Sequence, residues 1–342
     1  MLIGIDLGGT KTEIICLDEN NGKELYRQRV PSPKDDYKAT VQNMADMLIR
    51  AEETVGQKGS VGVGIPGAVA KDTGRVKNAN STWLNGQTLD KDLVEAFGRD
   101  VRIENDANCF ALSEATDGAG AGYKSVFGVI IGTGCGAGIV INGQTISGVN
   151  GIGGEWGHNP LPIPLVGMKK TISNYNVFDH GEDQSHIINP VYKNNGQPDY
   201  FTTDMGVSEY PGTQCYCGKR GCLETWISGT GLRNDYKRVV KKDLSTHDII
   251  AEAKKGDKDA IQALERYADR LSRGLAGVIN ILDPEVIILG GGMGNVTELY
   301  GMVPKMWGRY ISSNTVLTKL VPPKFGDSSG VRGAAWLGRE VY

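Results

Sequence analysis

The sequence predicts an α/β protein of two domains. At 342 residues the chain is long enough for two separate cores. An apolar strand, a glycine-threonine turn and a second apolar strand open the chain as MLIGIDLGGTKTEIICLD. The same design returns about 125 residues later as VFGVIIGTGCGAGIVINGQTI, as a duplicated unit would. Glycine accounts for 48 residues, about twice the usual share, and gathers at the ends of apolar strand-like runs. Those are places where a backbone turns tightly or approaches a ligand.

The elements follow in order. LIGIDL alternates as a strand, GGTKT turns, EIICLD is a second strand, and ENNGK turns again before ELYRQRV. A helix is predicted from Lys38 to Val55, because Val41, Met44, Ala45, Leu48 and Ile49 fall at helical spacing and Gly56 stops it. SVGVGIPG reads as a buried strand with a Pro-Gly turn, and VRIEND as a strand running into the helix ANCFALSEATDGA. Asn142-Gly143 signals a hairpin after the second glycine turn. Ile261, Leu264, Ala268, Leu271, Leu275, Val278 and Leu282 form a long helical stripe that ends at Asp283-Pro284, before the strand and glycine loop EVIILGGGMGN. A last helix is expected in DSSGVRGAAWLGRE, with Asp327, Ser328 or Ser329 as its cap. The expected domains are 1–116 together with 325–342, and 117–324. Residues from about 161 to 211 are rich in Asn, Asp, Pro and Tyr without any period, and read as an insertion or lid, in which His180 and His186 are solvated.

Charge narrows the partners. Lys and Arg total 37 against 40 Asp and Glu, a net charge of -3, which gives no reason to expect nucleic acid or an anionic membrane. No apolar run is long enough for a bilayer, and the opening strand is not a signal peptide, so a soluble, cytoplasmic protein is expected.

DLGGTKT lacks the spacing of a P-loop, and strand rather than helix follows it. It reads as a hairpin whose tip faces an anion: Gly8 and Gly9 admit the ligand, Thr10 and Lys11 donate, and Asp6 is placed for hydrated Mg2+. An ordinary glycine turn is the alternative. The second hairpin, with Thr133 and Gly134, could clasp the phosphates from the other side, while the loop of Gly291 and Gly292 offers a flat surface to a nucleobase. Asp106 ends a strand and starts a helix, where it could accept an alcohol proton during phosphoryl transfer or serve as a helix cap. Cys215, Cys217 and Cys222 are too crowded for easy pairing and odd in number, so with His158 they suggest a closed tetrahedral zinc site, against free thiols or a disulfide. Glu155 and Glu224 stand beside these ligands and suit sugar hydroxyls, or are solvated surface positions.

IGIDLGGTKT, VGVGIPG, ENDANCFALSEA, IIGTGCGAGIVINGQ, GGEWGHNPLP, CYCGKRGCLE, ISGTG and IILGGGM together resemble the ROK (repressor, open reading frame, kinase) sugar kinases over nearly the whole chain. The resemblance implies an actin-like (ribonuclease H-like) ATPase fold of two domains closing over ATP and a sugar, with Mg2+ and a structural Zn2+. It implies that Asp106 is the base, that Asn105, Glu155, His158 and Glu224 hold the sugar, and that His158, Cys215, Cys217 and Cys222 hold zinc. His158 would turn its second ring nitrogen to the sugar. Gly8 to Lys11, Thr133, Gly134 and residues 290–292 would hold the nucleotide, and the last helix would pack back on the first domain. KNANSTWLNG resembles the fructokinase (manno-fructokinase) branch, placing Asn80 near the sugar and fructose 6-phosphate as product. The alternatives are N-acetylglucosamine or N-acetylmannosamine. The 57 positions between His158 and Cys215 exceed the family's usual gap; the insertion there could reshape specificity or form a dimer contact, and a homodimer is expected.

Two other classes compete. A sugar-responsive repressor of the same family would carry a helix-turn-helix ahead of the first hairpin, for which the sequence leaves no room. A nucleotide-driven conformational protein would share the fold without needing the glutamates beside the zinc cluster.

Overall fold

β1 (Leu2–Leu7) and β2 (Lys11–Leu17) pair antiparallel, with Asp6 opposite Glu13 and Leu7 opposite Thr12. Both are almost wholly buried, as interior strands should be, and β3 (Glu24–Pro31) forms the edge with alternating exposure. The computed structural model describes residues 1–164, 208, 209 and 211–341; His180 and His186 lie outside these. α1 (Tyr37–Val55) starts where the Asp36 side chain accepts from the Ala39 N–H and stops at Gly56, whose φ of 74° needs glycine. β4 (Ser60–Ile65) joins β1 in parallel, followed by the short ribbon β5 (Ala68–Val69) and β6 (Val76–Lys77). α2 (Leu89–Phe97) leads to β7 (Val101–Asn105), parallel to β4. The first sheet therefore runs β3-β2-β1-β4-β7.

α3 (Asp106–Thr116) leads into the second sheet, built from β8 (Ser125–Ile131), β9 (Cys135–Ile141), β10 (Gln144–Thr145), β11 (Val286–Gly290) and β12 (Lys319–Val321). Its order is β10-β9-β8-β11-β12, so both sheets place their strands third, second, first, fourth, fifth. The repeated glycine hairpin in the sequence thus marks a repeated topology. Asn142 and Gly143 both adopt positive φ, 51° and 78°, as a two-residue hairpin turn requires.

The far face of the second sheet is covered by α4 (Glu224–Ile227), α5 (Gly229–Val240), α6 (Thr246–Lys254), α7 (Lys258–Leu282) and α8 (Leu299–Trp307), whose apolar residues join Phe127, Val129, Ile287 and Leu289 in one core. α7 is the helix that the apolar stripe predicts. Its buried Arg266, Arg270 and Arg273 were not part of that stripe. They pair with Asp235 at 2.8 Å and with Glu209 at 2.7 and 2.8 Å. Burial alone would raise the Glu209 carboxyl, but Arg273 and Arg270 hold it below its ordinary value. The Arg273 guanidinium also donates to the Pro162 carbonyl, so one arginine grips both ends of the segment between residues 162 and 209.

Between the two sheets lie α3 and α9 (Ser329–Leu337), sharing a core with Leu2, Ile15, Val126, Val140 and Ile288. The approach is tight: a β-carbon on Gly4 would meet the Val331 carbonyl at 2.2 Å, and one on Gly333 would meet the Cys109 carbonyl at 1.7 Å. α9 grows out of a 3-10 turn, Gly326–Ser328, with Ser328 at its N-cap as one of the expected positions but without a side-chain capping bond. The Ser329 hydroxyl instead donates to Glu114 at 2.7 Å. Glu114, fully buried on α3, also accepts from the backbone N–H groups of Ala119 (2.8 Å), Lys324 (2.9 Å) and Phe325 (3.2 Å). It ties together the two chain crossings between the sheets. Glu114→Gln replaces one acceptor oxygen by donors, leaving buried N–H groups unmatched; denaturant unfolding should register a loss of about 1–3 kcal/mol.

Candidate active site

The ends of β1 and β7 bring two carboxylates together. Asp6 is pushed up to about 7 by burial first, then by the charges of Asp106 and Glu13, with Arg29 opposing. Asp106, which retains solvent access at the mouth of the site, is raised to about 6 by its loss of hydration, against the Ala107 N–H, with the Glu155 charge adding. The Asp106 charge makes Asp6 harder to ionise, an arrangement that suits a nearby cation or a proton to be taken up. The helix cap of α3 is Asn105, not Asp106: its Oδ1 accepts from Ala107 N–H at 2.9 Å, while its Nδ2 donates to the Gly67 carbonyl at 3.1 Å. Asp106 Oδ1 also lies 2.8 Å from the Ala107 nitrogen, which leaves Oδ2 for chemistry.

The first hairpin closes through Gly8 N–H to the Lys11 carbonyl at 2.9 Å, with Gly9, Thr10 and Lys11 exposed at its tip. Ser32, absent from the sequence reading, braces it by donating its hydroxyl to the Gly8 carbonyl at 2.7 Å. In the second hairpin, Gly132 N–H reaches the Gly134 carbonyl at 3.0 Å and Thr133 stands exposed. Gly291 lies against the end of β8: a β-carbon there would meet the Ile131 carbonyl at 2.5 Å, so the loop of Gly291 and Gly292 sits beside the second hairpin. The Tyr300 hydroxyl holds that loop by donating toward the Leu289 and Gly294 carbonyls at 3.0 and 2.7 Å.

The cysteines and histidine converge as the spacing predicts. The ligand atoms of His158, Cys215, Cys217 and Cys222 all lie within 4.8 Å of one another. Cys215 Sγ is 3.6 Å from His158 Nδ1, and Cys217 Sγ is 3.6 Å from Cys222 Sγ. A tetrahedral ion with Zn–S bonds of about 2.3 Å has S···S edges of about 3.8 Å, so the four residues fit zinc. All six cysteines are free thiols, and the Cys217–Cys222 separation is far beyond the roughly 2.05 Å of a disulfide. Burial pushes the Cys222 thiol up to about 12, with the other two sulfurs adding to it; a divalent cation at the centre would reverse that.

His158 faces the cluster through Nδ1, but its Nε2 meets the Tyr216 hydroxyl at 2.9 Å, with Glu155 Oε2 at 3.8 Å. Glu155 thus stands near the cluster, and its charge also reaches Asp106. Glu224 Oε2 accepts from the Cys135 backbone N–H at 2.9 Å, against the second hairpin, which leaves its other oxygen uncommitted to that bond. Glu224 starts α4, two residues after Cys222. Asn80 is exposed in the turn after β6. Glu104, also missed, links the two walls of the site, accepting from Asn105 N–H at 2.8 Å and Asn108 Nδ2 at 3.0 Å and from the Ser147 hydroxyl. Its signal was its position next to Asn105 at the end of a strand.

Comparison with known proteins places this geometry. Over 337 residues the chain is 36% identical to the N-acetyl-D-glucosamine kinase of Yersinia enterocolitica, covering 98% of this chain and 99% of that protein. It is 35% identical over 338 residues to the N-acetyl-D-glucosamine kinase of Haemophilus influenzae, covering 98% and 99%. Among solved structures, a ROK hexokinase from Thermus thermophilus superposes with a TM-score of 0.76 at 28% identity, covering 98% of this chain and 96% of that one. The two repeated sheets are accordingly those of the actin-like ATPase fold. The model of the ROK family matches residues 2–341, and the chain belongs to that family.

Proposed function

We propose that the protein is an ATP-dependent sugar kinase that phosphorylates a hexose at its 6-hydroxyl. The observation that carries this reading is Asp106, a carboxylate raised to about 6 between the Asp6 hairpin and the Glu155–His158 wall. At neutral pH it is ionised yet basic enough to take a proton. The sugar oxygen attacks the terminal phosphorus, its proton passes to Asp106, the bond from that phosphorus to the bridging oxygen breaks, and ADP leaves. Asn105, Glu155 and His158 would orient the sugar, and Asn80 would border it. Glu224 would act on the sugar through its free oxygen while anchoring the second hairpin. Gly8, Gly9, Thr10, Lys11, Thr133 and Gly134 would hold phosphates, with Gly291 and Gly292 against the base. Mg2+ near Asp6 would neutralise charge on the phosphates, and Zn2+ would fix the 215–222 loop.

An N-acetylhexosamine, N-acetylglucosamine first, is the better supported substrate, because the full-length relatives at 35–36% identity carry that activity in their names. Fructose, the substrate suggested by KNANSTWLNG, is the second reading. The loop supports it with an exposed Asn80 in a turn held rigid by Asn85, which bonds the Ala79 backbone on both sides at 2.9 and 3.0 Å. A coupled ADP-release assay over N-acetylglucosamine, N-acetylmannosamine, fructose, mannose and glucose tests both. The highest kcat/KM should fall on N-acetylglucosamine. A preference for fructose reverses the ranking, and turnover of none removes the kinase reading.

A further inference from the structure

We infer that Ser81 is a phosphoryl-binding residue, its hydroxyl donating to a terminal phosphate oxygen seated at the Gly8–Thr10 hairpin. Ser81 is 2% exposed, and its Oγ has no hydrogen-bond partner among the described residues. Buried hydroxyls are nearly always paired, so an orphan at this depth marks a place where a partner arrives later. The direction of the hydroxyl is fixed by the structure: a β-carbon on Gly9 would lie 3.2 Å from Ser81 Oγ. The hydroxyl therefore looks onto the bare backbone of the hairpin tip at Gly9, next to the Gly8 carbonyl that Ser32 braces.

The loop that carries Ser81 is preorganised. Leu84 N–H donates to the Ser81 carbonyl at 3.0 Å, Trp83 Nε1 reaches the Thr40 hydroxyl at 3.2 Å, and Asn85 clamps Ala79. None of these bonds uses the Ser81 hydroxyl. Around the tip, Thr10, Lys11 and the backbone N–H groups are donors, so a hydroxyl joining that ring meets a ligand that only accepts. A phosphoryl oxygen fits; a sugar hydroxyl would have its own proton to place. An orphan hydroxyl held ready for charge that grows during transfer costs the resting protein stability and aids the reaction.

The inference rests on the kinase reading for its substrate but not for its test. Ser81→Ala should lower kcat about 10- to 100-fold, leave the sugar KM within about twofold, and weaken binding of a non-hydrolysable ATP analogue by about fivefold in calorimetry. Its melting temperature should equal or exceed that of the wild type, because a buried unpaired hydroxyl is removed. A lowered melting temperature would make Ser81 structural, a raised sugar KM alone would make it a sugar contact, and unchanged kcat and analogue affinity would give it no role; each overturns the inference. Wild-type protein that binds the analogue yet phosphorylates no sugar would remove the kinase reading, and analogue affinity in Ser81→Ala would still decide the inference.

Discussion

Asp106→Asn leaves sugar affinity near the wild-type value and lowers kcat by about 10³-fold or more, within the range a positioned general base contributes. Asparagine keeps the volume and the bond to Ala107 N–H but cannot take the sugar proton. Calorimetric sugar binding and the ADP-release assay measure the two quantities separately, and turnover near wild type would take the base role from Asp106. The pH dependence follows from the same residue. Its ordinary value is 3.8 and its folded value about 6, so the wild-type rate should be flat above neutrality and fall as pH drops through 6. In Asp106→Asn that acid limb disappears. The stability consequence has the opposite sense: a raised folded pKa means the native state holds the proton more tightly, a contribution present in acid and lost as pH rises through about 6. At pH 8 the ligand-free variant should therefore melt no lower than the wild type, so loss of activity cannot be ascribed to loss of fold.

Elemental analysis should return one zinc per chain, and Cys217→Ser should shed it, lowering the melting temperature by about 5 °C or more, since metal binding is folding free energy in such a loop. The sugar KM should rise about tenfold or more as His158 and Glu155 lose their fixed orientation. The structure adds a smaller effect on ATP. Glu224, two residues from Cys222, bonds the Cys135 backbone in the second hairpin, so freeing the loop also disturbs the segment with Thr133 and Gly134. A rise in the ATP KM as large as that for the sugar would contradict the assignment, and zinc-free protein as purified would remove the metal.

The Ser81 variant complements these two. The proposed roles give Asp106 the proton, the 215–222 loop the sugar's orientation and Ser81 the phosphoryl group, so the three variants should move kcat, sugar KM and analogue affinity in distinct combinations.

Much of this was legible in the chain before folding. Period-two alternation in LIGIDL and EIICLD, the stripe along α7, Gly56 as a stop and Asn142-Gly143 as a turn are local signals, because backbone geometry and one buried face decide them. The clustering of Cys215, Cys217 and Cys222 is local too. Substrate preference was not settled by such signals: KNANSTWLNG pointed to fructose, while full-length similarity favours N-acetylhexosamines.

By itself, the sequence determined the two glycine hairpins, the candidate Asp106 and the convergence of His158, Cys215, Cys217 and Cys222, since residue type and spacing suffice for those. Only the tertiary structure decided that Asn105 rather than Asp106 caps α3, that Glu224 leans on the second hairpin, and that Glu114 binds both crossings. It alone set Ser81 against Gly9 and sank three arginines into the core around Asp235 and Glu209. A polar side chain takes whichever partner burial leaves it, and that partner is chosen by segments tens to hundreds of positions away, which no local pattern encodes.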